Sequence, residues 1–269
     1  MGRYKKLFKN LNNKKQGAFI PFLILGDPNF EISIEIIKFL ILNGADALEL
    51  GIPFSDPLAD GVIIQNSILR SFKSKITLKK CFKIISIIRK KYNNIPIGIL
   101  TYANLVFYKG INNFYNNCKK AGIDSILIAD LPLEESKIFI KFSIIYNIKQ
   151  VFICPPNSNN KLLFKISNNS KGYVYLLSRS GITGTEKKII KPDTYIVNKL
   201  IKYNSPPIIQ GFGIFKPSQV RYAIKIGISG IISGSAIIKI IEQNQNNLTI
   251  MFKKLNKFIK IMKKSTFYN

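Results

Sequence analysis

Three stretches of this chain repeat one arrangement. LNGADALELG (42–51), KAGIDSILIAD (120–130) and KIGISGIISGS (225–235) each carry the end of a helix, a glycine and then a short apolar strand. Gly44, Gly122 and Gly227 stand where a helix commonly stops on a left-handed residue, a conformation that suits glycine. Further short apolar runs lie at 18–25, 95–101, 150–154, 173–177 and 207–210, which brings the predicted strands to eight. Helical stretches follow them at roughly 30–43, 77–91, 111–121, 134–147, 159–168, 193–203, 216–226 and 247–264, with 4–13 as an extra helix ahead of the first strand. Strand–helix alternation repeated eight times over 269 residues predicts an α/β fold, a (β/α)8 TIM barrel with extra short helices. A doubly wound open sheet is the alternative. No linker or composition break divides the chain, so residues 1–269 are expected to form a single barrel domain.

The sequence contains no histidine. That excludes a Ser-His-Asp triad, a Cys-His pair and any His-ligated metal within this chain. Acid–base chemistry must then come from carboxylates, Tyr, Lys or Cys. Cys81, Cys118 and Cys154 are widely spaced and odd in number, which argues against a disulfide framework and for a cytoplasmic protein. The longest apolar runs, such as Ala18–Leu25, are far short of a membrane span. The basic lead before that run resembles a signal peptide, but Gly26-Asp27-Pro28 replaces a cleavage site, so the run reads as a first strand. The formal net charge is +27, yet only five cations are Arg, at positions 3, 70, 89, 179 and 221. Arg is the better residue for bidentate phosphate and base contacts. The Lys excess travels with abundant Ile and Asn, as in an AT-rich genome, so no nucleic-acid partner is expected.

Against 41 Lys and Arg stand 14 Asp and Glu, and three of these fall inside LELGIPFSDPLADG (48–61): Glu49, Asp56 and Asp60. Alternation along Ala45–Gly51 sets Leu48 and Leu50 on one side and Ala47 and Glu49 on the other. If the leucines face the helices, Glu49 points into the barrel near its upper rim, where barrel active sites lie. A strand Glu is ordinarily an edge or solvent residue, but the flanking leucines speak against that here. Glu134, Glu135 and Asp193 fit first turns of helices, where the dipole favours them. Asp46 and Asp124 fall at the lower ends of strands, and Glu31, Glu35 and Glu242 read as solvated helix positions. Asp27, Asp56, Asp60, Asp130 and Glu186 remain, all in loops of the expected active face.

QGFGI (210–214) follows the seventh strand and SGSA (233–236) the eighth. Barrel enzymes often bind phosphate with these two loops and the start of a short helix, where backbone N–H groups and the helix dipole meet the anion. Gly213, Gly234 and Ser235 are the natural donors. LLSRSGITGTEKK (176–188) is polar, bears glycine and lies over the rim, as a lid would.

These residues together resemble the tryptophan synthase alpha chain family. LELGIPFSDPLADG matches its signature. GAFIPFLILGDP, PIGILTYANLVF, FICPPN, YLLSRSGITG, QGFGI and ISGSAI are similar to its blocks in the right order, from near residue 1 to beyond residue 260. Val62 is a departure, since the signature usually has Pro there. The resemblance implies a (β/α)8 barrel and the retro-aldol cleavage of indole-3-glycerol phosphate to indole and glyceraldehyde 3-phosphate. It implies that Glu49 protonates the substituted indole carbon and then helps remove the hydroxyl proton, while Asp60 accepts the indole N–H. Phe22, Leu100, Leu127 and Ile232 would wall the indole, and Tyr175 would hydrogen-bond near Glu49. Phe212, Gly213, Gly234 and Ser235, with Gly184 of the lid, would hold phosphate, and Thr183 would close towards Asp60. No metal or organic cofactor is implied in this chain. The implied partner is the beta chain, which carries pyridoxal phosphate and receives indole through a tunnel in an alpha2beta2 tetramer. Pro53, Asp56, Asn104, Phe107 and Asp130 would face it. The alternatives are another phosphate-binding barrel, such as an isomerase of the same pathway, and a catalytically decayed alpha chain that only activates its partner.

Overall fold

The computed structural model describes residues 1–178 and 192–268. Its strands are β1 (Ala18–Ile24), β2 (Leu48–Gly51), β3 (Ile97–Thr101), β4 (Ser125–Ile128), β5 (Lys149–Val151), β6 (Ile153–Cys154), β7 (Val174–Leu177), β8 (Ile208–Gly211) and β9 (Gly230–Ser233). They form one parallel sheet in the order β5-β4-β3-β2-β1-β9-β8-β7-β6. β5 and β6 are the two halves of the predicted strand at 150–154, parted at Phe152. The first half pairs with β4 and the second with β7. The peptide between them keeps the ladder going, since Tyr175 N donates to Phe152 O at 3.1 Å. The sheet thus curls round to meet itself through one split stave, and the eight expected staves are all present.

Period-two alternation gives this sheet two apolar surfaces. Ile20, Phe22, Val151, Tyr173, Tyr175, Ile209 and Ile232 face inward and pack the lumen. Leu23, Leu48, Leu50, Ile97, Ile99, Ile126, Val174 and Ile231 face outward against the helices. The helix α1 (Arg3–Asn13) closes the lumen from below with Tyr4 and Leu11, and Tyr4 Oη lies 2.8 Å from Ser125 Oγ. At the same end, Asp124 accepts from Arg3 at 2.8 Å, Arg89 at 2.7 Å and Ile97 N at 2.9 Å. Asp46 accepts from Phe19 N at 2.7 Å and from Lys263. These two carboxylates tie neighbouring strand starts together, as their predicted places at the lower ends suggested.

The expected helices appear as α2 (Phe30–Leu42), α4 (Leu78–Lys91), α6 (Ile111–Ala121), α7 (Lys137–Ile145), α8 (Asn160–Asn169), α9 (Thr194–Lys202), α10 (Pro217–Lys225) and α12 (Leu248–Lys264). Gly44, Gly122 and Gly227 take φ values of 114°, 81° and 95°, the left-handed stops predicted for them. Three further α-helices were not anticipated as such: α3 (Val62–Lys73), α5 (Ala103–Lys109) and α11 (Ser235–Asn244). Their N-caps, Gly61, Tyr102 and Gly234, make no side-chain cap bond. In contrast, Asn29, Thr77, Asn159, Asp193 and Asn247 each cap an expected helix with a side-chain oxygen. The expected helices α6 and α7 lack a side-chain cap as well, so what sets the three apart is that they are additions to the strand–helix alternation at the rim. None of the described helices is long and apolar enough to cross a membrane.

Candidate active site

A cavity of about 450 Å³ opens at the C-terminal ends of the strands, within the usual range for a small-molecule site. Phe22 of β1, Leu100 of β3, Tyr175 of β7 and Ile232 of β9 line it. Asp60 joins them from the loop after β2, Phe212 and Gly213 from the loop after β8, and Gly234 and Ser235 from the start of α11. Nine of the residues singled out in the sequence therefore share one wall. Leu127 faces the lumen beside Leu100, its partner in register, but lies off the cavity wall. Thr183 and Gly184, with Glu186 of the same loop, lie outside the described residues.

Glu49 sits lower than expected. Its side chain is 1% exposed and points into the lumen, but it does not line the cavity. Oε2 accepts from Tyr173 Oη at 2.6 Å, and Oε1 is buried without a hydrogen-bond partner among the described residues. A Cβ built on Gly98 would lie 2.5 Å from Oε2 and 3.1 Å from Tyr4 Oη, so only glycine opposite Glu49 leaves the carboxyl its room. The carboxyl is thus turned towards the floor of the barrel instead of its rim. The hydroxyl beside it belongs to Tyr173, not to Tyr175 as the resemblance implied. Tyr173 precedes Tyr175 by two, and alternation puts both on the inner face, a signal that could have identified it. Burial pushes the Glu49 carboxyl up to about 7, against the smaller opposing effect of the Tyr173 bond.

Asp60 is 8% exposed and holds a different environment. Its Oδ2 accepts from Tyr102 Oη at 2.7 Å. The backbone around it is pinned as well: Gln65 Nε2 donates to Asp60 O at 2.8 Å, and Ala59 N to Tyr102 Oη at 3.3 Å. Burial raises the Asp60 carboxyl, and the Tyr102 bond opposes this. Tyr102, stacked on Phe54 at 5.1 Å, is the second functional neighbour that sequence reasoning passed over. It follows β3 directly, at the rim where side chains converge.

At the far end of the cavity, Gly234 caps α11 and Ser235 opens it. The first N–H groups of a helix have no intrahelical acceptor and carry the positive end of its dipole. Phe212 and Gly213 face them with φ of 75° and 70°. This end can hold an anion without any metal. Among the described residues no cluster of acidic and cysteine side chains could hold a metal ion.

The other carboxylates of the expected active face have different tasks. Asp27 is buried in an ion pair with Arg70 at 2.7 Å, and Arg70 reaches Glu242 at 2.7 Å. Neither acid is a free group, so the solvated position expected of Glu242 and the loop candidacy of Asp27 are both corrected by the same cation. Asp130 accepts from Ala103 N at 2.8 Å, at the start of α5. Asp56, Asn104, Phe107 and Asp130 are exposed at the rim, whereas Pro53 is buried. Leu58 and Tyr108 are 83% and 80% exposed beside them in sequence.

Comparison with known proteins agrees with this geometry. The family model for the tryptophan synthase alpha chain matches residues 8–267. The tryptophan synthase alpha chain of Escherichia coli strain SMS-3-5 is 53% identical over 266 residues, covering 99% of each chain, and that of Photorhabdus laumondii is 52% identical over the same coverage. Among solved structures, the tryptophan synthase a2b2 complex of Pyrococcus furiosus has a chain 34% identical with a TM-score of 0.84, covering 92% of this chain and 98% of that one. A chain from Aquifex aeolicus VF5, 28% identical, superposes over the full length of both with a TM-score of 0.89. Agreement of this extent, in sequence and in fold, makes the chain a member of the tryptophan synthase alpha chain family.

Proposed function

We propose that the chain cleaves indole-3-glycerol phosphate to indole and glyceraldehyde 3-phosphate, a retro-aldol reaction of a carbon–carbon lyase. The observation that carries this reading is Glu49, a buried carboxyl held at about 7 beneath a cavity walled by apolar groups and Asp60. A carboxyl that exists in both protonation states near neutral pH can give a proton to carbon and take one from oxygen. The indole would lie between Phe22, Leu100 and Ile232, with its N–H on Asp60. Glu49 would protonate the ring carbon bearing the side chain while Asp60 stabilises the positive charge that spreads to nitrogen. The carbon–carbon bond then breaks as Glu49 takes the proton of the adjacent hydroxyl, so the proton given at the start is returned at the end. Because the carboxyl now rests on Tyr173 below the cavity wall, the cycle needs a rotation about its side-chain bonds. The phosphate would sit at Gly213, Gly234 and Ser235.

The chain needs no cofactor for this chemistry. We place it in the cytoplasm, in an alpha2beta2 assembly with a beta chain that carries pyridoxal phosphate and consumes the indole. The rim around Leu58, Phe107 and Tyr108 is the surface we assign to that partner. It shares a loop with Asp60, so docking can bias the geometry of the site. A chain that only activates its partner would not need both carboxyls in place. The test is indole release from indole-3-glycerol phosphate with and without beta chain. Slow release alone and about ten- to a hundred-fold more with the partner is expected, a coupling of about 1.4–3 kcal/mol. No release in either condition would refute the reading.

A further inference from the structure

Gln219 is not among the residues the sequence singled out, yet its side chain grips the turn at the anion end of the cavity. It occupies the third position of α10 and is buried. Oε1 accepts from Phe215 N at 3.0 Å and from Lys216 N at 2.9 Å, and Nε2 donates to Gly213 O at 2.7 Å. The first two bonds are helix capping, with glutamine reaching back from the third helical position to N–H groups at the start. The third has no part in a cap. It crosses the turn to a residue with φ of 70°, next to Phe212 with φ of 75°. An aromatic residue rarely adopts that conformation unaided. Turns of this kind set successive N–H groups around a hollow that suits an anion. Ser233 Oγ adds a second tether to the same loop, donating to Ile214 O at 2.7 Å.

We propose that Gln219 is a positioning residue for phosphate recognition, holding the Phe212–Gly213 turn, through Gly213 O, in the form whose N–H groups face the anion. Without that bond Phe212 can relax to negative φ, and the peptide that precedes Gly213 turns with it. The inference rests on the assignment of phosphate to this end of the cavity. It goes beyond that assignment in naming what keeps the end receptive before the ligand arrives.

Binding of glycerol 3-phosphate and of indole, each measured by calorimetry or NMR on the full chain, tests it. Gln219→Met removes all three bonds at similar volume and without charge. This variant should bind glycerol 3-phosphate about tenfold more weakly, the scale of one hydrogen bond. Indole affinity should stay within about twofold. Gln219→Met binding glycerol 3-phosphate as tightly as the wild type would overturn the proposal. So would equal weakening of both ligands, which is the mark of general loosening. If the wild type bound no glycerol 3-phosphate at all, the phosphate assignment itself would fail and the clamp with it.

Discussion

Replacing Glu49 by Gln should stabilise the fold above neutral pH while removing its chemistry. The amide matches the protonated carboxyl in size, keeps an oxygen for Tyr173 Oη and cannot ionise. Folded, the carboxyl titrates at about 7, and unfolded it returns to about 4.5. Between those values the folded chain holds a proton that the unfolded chain has released. The stability conferred by the neutral carboxyl is therefore full below 4.5 and is lost as pH rises towards 7. The span of about 2.5 pH units, at about 1.4 kcal/mol each, comes to about 3 kcal/mol. The Gln variant does not suffer this loss. Every other titrating group is common to both proteins and cancels in the comparison. Thermal unfolding at pH 5 and pH 8 reads the difference. At about 2–4 °C per kcal/mol for chains of this size, the midpoints should lie close at pH 5 and differ by roughly 6–12 °C at pH 8, with the variant higher. An offset that does not change with pH, or a variant less stable than wild type at pH 8, would refute the reasoning. Either result would mean that the carboxyl is not held neutral by burial.

Tyr173→Phe removes a donor that favours the charged form of Glu49. The limb of the pH–rate profile that reports Glu49 should move to higher pH, and an unmoved limb would deny Tyr173 this influence. Gly211→Ala places a Cβ 2.1 Å from the Tyr175 ring, which must swing into the cavity. Such overpacking costs about 1–3 kcal/mol, and substrate KM should rise with it; wild-type KM would show that the ring has room to yield. Val62→Pro puts proline at the first position of α3 behind an extended Gly61 (ψ 170°), a site that accepts it. It should add about 0.4–1 kcal/mol by restricting the unfolded chain, and a lower melting midpoint would count against that reading of the loop.

The barrel was legible because its signals are local. Gly44, Gly122 and Gly227 mark helix ends by backbone sterics alone, and Asn29, Thr77, Asn159, Asp193 and Asn247 mark helix starts with their own oxygens. The helices α3, α5 and α11 are additions to the strand–helix alternation, and its eightfold pattern does not call for them. Most of the cavity wall was named through the family resemblance, and alternation accounts for it, since Phe22, Leu100, Tyr175 and Ile232 are inward residues near strand tops. What the sequence did not reveal is where long side chains end. Glu49 was assigned correctly to the lumen, yet whether its carboxyl rises to the rim or descends to Tyr173 depends on a rotamer and on the empty space at Gly98. Tyr102 on Asp60, Gln219 across its turn and Arg70 between Asp27 and Glu242 are likewise meetings of residues brought together by the fold and not by spacing along the chain.

The partners of the carboxylates separate structure from chemistry. In a chain with 41 Lys and Arg, the acids that the fold takes out of solvent mostly meet a cation. Asp27 has Arg70, Asp46 has Lys263, Asp124 has Arg3 and Arg89, and Glu35 has Lys38. Glu49 and Asp60 are different: among the described residues their carboxylates receive tyrosine hydroxyls and no cation. The distinction is energetic. A cation within about 4–6 Å lowers a carboxyl by 1–3 pH units, which would keep Glu49 ionised at neutral pH and unable to protonate carbon. A hydroxyl orients the group and satisfies one oxygen while offsetting only part of the cost of burial. The two tyrosines thus leave each carboxyl with the titration its environment sets: Glu49 buried enough to hold a proton near pH 7, Asp60 open on its cavity side. Introducing a cation into the lumen should therefore damage activity even where it strengthens the fold.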